Sequence, residues 1–312
     1  MTSAAPLPDD MRVFVRGWLS SNSLLCLGGE PALIDTGHVK HAEQTVHLAA
    51  GALGHGAALA AIAHTHLHSD HCGGTAALQA AYPGAVTWVP EATLAHVRDW
   101  DQDALTFGDS GQRCDRFAAQ RALIPGQTVR LGRRDWQIHA APGHDALAVL
   151  LYQSDSGVLM AGDALWEHSV GVIFPHIDGL AGFEPFLDTL ALIERLRPAV
   201  VVPGHGAPFA RAGGGIDAAL ERARQRIAYF ASHPAQHALY AAKVLIKYQM
   251  LDVERMTRPA LRAWLGAAPA LRQLHRQHRP DLAWDGWLDA VLAQLFDKGA
   301  LRQTADEVLD GE

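Results

Sequence analysis

One stretch constrains this chain more than any other: Thr65-His66-Leu67-His68-Ser69-Asp70-His71-Cys72-Gly73-Gly74. Four candidate metal ligands, His66, His68, Asp70 and His71, fall within six residues of it. An apolar run, residues 59–63, leads in and a Gly-Gly pair closes it. A strand that runs into a turn directs His66 and His68 to one side and carries Asp70 and His71 round to a neighbouring point. Imidazole nitrogens and carboxylate oxygens suit zinc, and also iron or manganese. A lone histidine here would be an ordinary polar residue. Four donors at this spacing call for a fold that ends a buried strand at an open edge.

Three later positions share that context, each just past an apolar strand-like run. His144 stands in Ala141-Pro142-Gly143-His144, Asp163 in Met160-Ala161-Gly162-Asp163, and His205 in Val202-Pro203-Gly204-His205-Gly206. In layered α/β folds the strand ends hand residues to a binding crevice. The glycine beside each candidate permits a tight turn and close backbone approach. The chain holds 18 histidines, and they gather in short stretches rather than scattering.

The surrounding pattern fits a mixed fold. Residues 12–18, 23–27, 32–34, 59–63, 86–89, 128–131, 136–140, 147–152, 158–160 and 200–202 read as strands; residues 41–53 and 184–196 read as helices, the second stopped by Pro198. This alternation implies strands and helices layered on a shared core. From residue 216 the pattern is helical, over 216–232, 237–250, 258–265 and 284–296, before a Lys298-Gly299 turn and a short strand at 300–303. The glycine run 213–215 predicts a boundary between a first domain, 1–212, and a second, 213–312.

Composition narrows the setting. Charge is uneven, −9 over residues 1–210 and +2 over residues 211–312. An acidic body disfavours a polyanion such as nucleic acid, although the mildly basic tail keeps an anionic partner in view. Cys26, Cys72 and Cys114 are odd in number and form no CxxC pair, which points away from a disulfide framework and towards the reducing cytoplasm. The start of the chain lacks a signal-peptide pattern and no apolar run reaches a membrane span. There is no G-x-S-x-G elbow and no phosphate-cradling glycine loop.

The order HxHxDH, PGH, GD and PGHG, with Leu33-Ile34-Asp35-Thr36-Gly37 upstream, resembles the metallo-β-lactamase superfamily in its glyoxalase II-like branch, over residues 12–208. The resemblance implies an α/β fold, a four-layered αββα sandwich with its metals at one edge of the two sheets. It implies that His66, His68 and His144 hold one divalent ion, that Asp70, His71 and His205 hold a second, and that Asp163 bridges them. Asp35 would support the site by hydrogen bonding. Zinc is the first expectation for the pair, with iron or manganese also compatible. Two cations about 3.5–4 Å apart acidify a shared water, which attacks a carbonyl or phosphoryl centre, and Asp70 would orient that nucleophile and move its proton.

The substrate is less legible. Glyoxalase II enzymes and persulfide dioxygenases continue past the bridging aspartate with a GCGR-like segment, whereas this chain reads Ala164-Leu165-Trp166-Glu167-His168-Ser169-Val170-Gly171. That departure points away from glutathione thioester and persulfide substrates; the acidic body favours a hydrolase of a small thioester, ester or lactone over a nuclease. A metal-dependent endoribonuclease and a mononuclear iron persulfide dioxygenase are the alternatives. Trp166, His168, Phe174 and His176 lie where substrate contacts are expected; the plainer reading is a loop packed by one aromatic. The Arg133-Arg134 pair reads as a solvated hairpin turn. The tail resembles a winged-helix-like domain, in which Tyr240 and Lys243, at helical spacing with Lys247 and Tyr248, would meet an anionic part of the substrate; the plainer reading is an amphipathic packing helix. Relatives commonly form homodimers, and no interface can be read from the sequence.

Overall fold

Short aliphatic runs bounded by turn residues become strands, and their ends set the edges of two sheets. The computed structural model describes residues 7–174 and 183–311. Contacts divide the chain into two compact units, Met1–Phe107 with Arg113–Arg226, and Gly108–Gln112 with Ile227–Glu312.

In the first unit one six-stranded sheet holds, in order, β1 (Met11–Phe14), β2 (Ser23–Cys26), β3 (Ala32–Ile34), β4 (Ala61–Ala63), β5 (Val86–Pro90) and β6 (Arg121–Leu123). β1 to β3 pair antiparallel and β3 to β6 parallel. The second six-stranded sheet holds β7 (Thr128–Leu131), β8 (Arg134–Ala140), β9 (Val149–Gln153), β10 (Val158–Gly162), β11 (Val200–Pro203) and β12 (Phe209–Ala210). Here only β10 and β11 are parallel. The inward faces interdigitate: Leu24, Ile34, Ala63 and Leu123 share one buried cluster with Leu131, Trp136, Ile138, Leu151, Met160 and Val202. Because side chains alternate along a strand, the next residues face outward. Leu25, Leu33 and Ile62 accordingly pack with Ala49 of helix α1 (Ala42–Leu53) and Leu78 of α3 (Thr75–Ala81), which follows the single turn α2 (Ser69–Cys72). The shorter helix α4 (Leu94–Asp99) comes next, and Val97, Leu105 and Phe117 form a satellite core, while α5 (Phe107–Ser110) runs from the last residue of this segment into residues counted with the second unit. Helix α6 (Glu184–Leu196) buries Phe186, Leu190 and Ile193. The result is an αββα sandwich.

The glycine run at 213–215 is a tight turn that leads straight into α7 (Gly215–Ser232), not a linker. The division between units falls inside α7, between Arg226 and Ile227. Its first turns belong to the first unit: Ile216, Ala219, Leu220 and Ala223 are buried at helical spacing, and Arg222 Nε donates to Glu167 O at 3.2 Å.

The second unit contains α8 (Pro234–Val253), α9 (Arg258–Ala267), α10 (Pro269–His278) and α11 (Trp284–Asp297), with strands β13 (Arg255–Thr257), β14 (Leu301–Gln303) and β15 (Glu307–Asp310). β15 lies between the other two, antiparallel to both. Lys247 Nζ ties this sheet to α8, donating to Asp310 Oδ1 at 2.6 Å and to Gly311 O at 2.6 Å. No helix of the described residues is long and apolar enough to cross a membrane.

The turn between β7 and β8 corrects one expectation. Arg133 occupies the hairpin turn and Arg134 opens β8, but their guanidiniums clamp the buried carboxylate of Asp10, each Nε at 2.7 Å from Oδ2 and Arg134 Nη2 at 2.8 Å from Oδ1. Against burial, the hydrogen bond from Arg134 dominates and holds the carboxyl at about 2 instead of 3.8. A folded-state value below the unfolded one adds stability above the unfolded value, lost as pH falls through the folded one. Asp10→Asn is therefore expected to lower the unfolding free energy by about 1–3 kcal/mol at pH 7, a gap that narrows at pH 3. Urea unfolding at both pH values tests this; a gap that widens on acidification contradicts it.

Candidate metal centre

Five of the seven candidate ligands follow the carboxyl end of a strand, and Asp70 and His71 ride on the single turn α2. His66 and His68 follow β4, His144 follows β8, Asp163 follows β10 and His205 follows β11. These ends share one edge, since β8 and β10 both run antiparallel to β9 and β10 runs parallel to β11. One backbone bond joins the sheets there, Val149 N to Thr65 O at 2.8 Å.

Two groups of donor atoms result, His66 with His68 and His144, and Asp70 with His71, Asp163 and His205; within each the donor atoms lie within 4.8 Å of one another. His68 presents Nδ1, at 2.8 Å from His144 Nε2. His144 Nδ1 donates to Val172 O at 2.6 Å, which turns its Nε2 towards the cluster. His205 Nε2 lies 3.0 Å from Asp70 Oδ2. Asp163 faces both groups: its Oδ1 is 3.3 Å from His71 Nε2 and its Oδ2 is 3.4 Å from His144 Nε2.

The donor set fits a cation. His66 Nε2 and His71 Nε2 are buried without a hydrogen-bond partner, although buried polar atoms are nearly always paired. Both nitrogens belong to rings fixed from behind, His66 Nδ1 by Thr65 Oγ1 at 3.1 Å and His71 Nδ1 by Asp35 Oδ2 at 2.8 Å. Electrostatics agree. Burial, then the imidazoles of His71, His68 and His144, holds His66 well below the usual histidine range. Burial and His144 push His68 down to about 4. Both therefore offer lone pairs at neutral pH. Burial opposes ionisation of Asp70 and Asp163, yet His71 and His205 outweigh it, holding Asp70 at about 2 and Asp163 well below the usual carboxylate range.

Asp35 is fully buried and accepts from Thr65 N at 2.9 Å and Thr65 Oγ1 at 2.8 Å besides facing His71. Two glycines are required by close approach. A Cβ at Gly204 would stand 2.0 Å from Asp163 Oδ1, and one at Gly171 would stand 2.6 Å from His144 Cγ.

The sequence pattern missed several contributors. Asn22, in the loop between β1 and β2, donates through Nδ2 to Pro203 O at 2.9 Å and Gly206 O at 2.7 Å, while Ser21 N donates to Asp70 O at 2.9 Å. Trp18 on the same loop stacks over His205, centroids 5.5 Å apart. Polar loop residues carry no periodic signal, so only the structure reveals that this loop clasps two ligand-bearing turns.

The candidate substrate contacts are placed unevenly. Trp166 donates through Nε1 to Asp163 Oδ1 at 3.1 Å. His168 is exposed and pairs with Glu167 at 3.6 Å. Phe174 is half-buried, and His176 lies outside the described residues. In the second unit Lys243 Nζ donates to Gln294 Oε1 at 3.1 Å, and Tyr240 stacks on Phe230 at 5.2 Å.

The model of the metallo-β-lactamase superfamily matches residues 16–205. A hydroxyacylglutathione hydrolase of Anaeromyxobacter dehalogenans (strain 2CP-C) is 32% identical over 257 residues, 79% of this chain and 88% of that protein. Another from Synechococcus sp. (strain JA-3-3Ab) is 33% identical over 119 residues, 38% of this chain and 40% of that protein's length. A crystal structure of a metallo-β-lactamase family protein from Thermus thermophilus shares the fold, with a TM-score of 0.57, 22% identity and coverage of 98% of this chain and 100% of that one. The strand-end donors sit inside the matched span, and this chain belongs to the metallo-β-lactamase superfamily.

Proposed function

We propose that the protein is a hydrolase that uses two divalent cations, zinc in the first instance, to cleave a small thioester, ester or lactone. The observation that carries this reading is Asp163, whose two oxygens face different donor groups, one towards His71 and the other towards His144. His66, His68 and His144 would hold one ion, Asp70, His71 and His205 the other, and Asp163 would serve both. Such ions supply Lewis acidity, polarising a carbonyl and making water a nucleophile near neutral pH.

The chain's own residues do the rest. Asp35 and Val172 O orient His71 and His144 through their far nitrogens, which fixes the tautomers that face the cluster. Asp70 Oδ2, 3.0 Å from His205 Nε2, would join it in holding the second ion, leaving the other carboxylate oxygen to take a proton from the attacking water. Trp166 holds Asp163 by its indole N–H. The named activity of the relatives makes a thioester the first substrate to try. The segment 164–171 that follows Asp163, with Trp166 and His168, is assigned to substrate contact together with Phe174. Tyr240 and Lys243 are engaged by Phe230 and Gln294 in their own unit, which we read as winged-helix-like from the terminal hairpin that closes on β13. The three cysteines are free, which suits the cytoplasm.

Two experiments test the reading. Calorimetric titration of chelator-stripped protein with zinc is expected to fill two sites in the wild type and at most one in Asp163→Ala; two sites retained in the variant contradict the shared carboxylate. Asp35→Ala and Gly204→Ala are each expected to weaken zinc binding by about 10–100-fold. Separately, an acetyl thioester, p-nitrophenyl acetate and γ-butyrolactone are offered before and after chelation. Loss of turnover by about 100-fold or more on stripping, restored by zinc, is expected; turnover indifferent to chelation contradicts the reading.

A further inference from the structure

Large hydrophobic side chains exposed among the described residues include Trp18, at 60%, and Leu147, at 39%. Trp18 lies over His205, one of the candidate donors, while Leu147 follows His144 by three residues in the chain. Exposed aromatic surface that gathers at one place marks a binding site. The Trp18 ring is nearly parallel to the His205 imidazole, at 15°, with centroids 5.5 Å apart. Trp166 meets both edge-on, at 5.4 Å from Trp18 and 5.2 Å from His205.

Neither indole is loosely placed. Trp18 sits in a turn closed by Ser20 N donating to Gly17 O at 3.0 Å, and the next residues bond the ligand-bearing turns, Ser21 N to Asp70 O at 2.9 Å and Asn22 N to Gly204 O at 2.6 Å. Trp166 is anchored by its N–H on Asp163 and by Trp166 N donating to Ser169 O at 3.1 Å. Ser169 Oγ in turn accepts from Arg226 at 2.6 Å. Beside Trp166 the Glu167 carboxylate lies 3.6 Å from His168 Nε2, and Arg222 donates to Glu167 O. What faces solvent beside His205 is therefore the indole of Trp18, with Trp166 edge-on to it.

We propose that Trp18 and Trp166 form a specificity wall that takes a neutral aromatic group of the substrate, attached near the scissile carbonyl. This rests on the reading of the donor cluster as the reacting centre. An aryl ring stacks on the open part of Trp18 while the carbonyl end reaches the metals. A saturated ring of similar area gains the burial without the stacking. Trp166 has a second task, since its N–H also positions the Asp163 carboxylate.

The test uses zinc-loaded full-length protein and two readouts. Propionate, 3-cyclohexylpropionate and 3-phenylpropionate are titrated calorimetrically, and propionyl and 3-phenylpropionyl thioesters of one thiol are compared by kcat/KM. Phenylpropionate is expected to bind about tenfold or more tighter than propionate, and tighter than its cyclohexyl analogue. Trp18→Ala is expected to erase most of that ratio and Trp18→Phe to keep most of it, with zinc uptake unchanged in both. Trp166→Phe is expected to keep the aryl preference and to lose zinc affinity. Equal binding of propionate and phenylpropionate, or a preference indifferent to Trp18→Ala, overturns the wall. Aryl preference without thioester turnover sustains the wall and refutes the hydrolase reading; turnover without aryl preference does the reverse.

Discussion

The buried carboxylate of Asp35 is the point on which the edge of the sandwich depends. It leaves β3 in a left-handed conformation, φ 57°, which costs a residue with a Cβ about 1–3 kcal/mol. That strain aims both oxygens across the strand end, where they accept from Thr65 N and Thr65 Oγ1 and meet His71 Nδ1. One anion thus fixes the exit of β4, immediately before His66, and the ring of His71 beyond it. Burial opposes its ionisation, but His71 and His64 hold the carboxyl below the usual range, so it stays an acceptor. The first histidine of one donor group and the second donor of the other are set by the same side chain.

The rest of the centre follows from where the strands stop. Buried strands are rigid, and Asp163 and His205, one and two residues past β10 and β11, inherit that rigidity. The turns after β10 and β11 approach so closely that only glycine fits at 204. The loop between β1 and β2 then locks these turns through Ser21 and Asn22. Packed this way, Asp70 and Asp163 repel each other, and the carboxylates draw a proton onto His71 against the cost of burying it. A divalent cation relieves both problems at once, which is the physical reason to read the cluster as a metal centre.

Much of this was legible in the sequence, for reasons that also define the limits. Hydrophobic runs at 32–34, 128–131 and 184–196 mark β3, β7 and α6 to the residue because turn residues or Pro198 bound them sharply. The candidate donors stand out by clustered histidines and aspartates that follow apolar runs. Strands β6, β12, β13 and β15 were not legible: they are two to four residues long and defined by pairing, not by pattern. Helix α10 was missed because only Ala270, Leu271 and Leu274 are buried in an otherwise polar segment. The glycine run looked like a linker because local flexibility is visible in a sequence, whereas the burial of Ile216, Ala219 and Leu220 beyond it is not. Trp18 reads in the sequence as the end of a strand over 12–18, but β1 stops at Phe14 and Trp18 stacks on His205, which is distant in sequence and close in space.

Membership of the superfamily accounts for the scaffold, and the proposed dinuclear centre and the proposed indole wall are both built at one edge of it. Both accounts require that the donor groups be filled. Elemental analysis of the protein purified without added metal measures this directly. Two equivalents of divalent metal per chain, mainly zinc, are expected. One equivalent of iron, or none of any metal, would contradict the dinuclear centre on which the account stands.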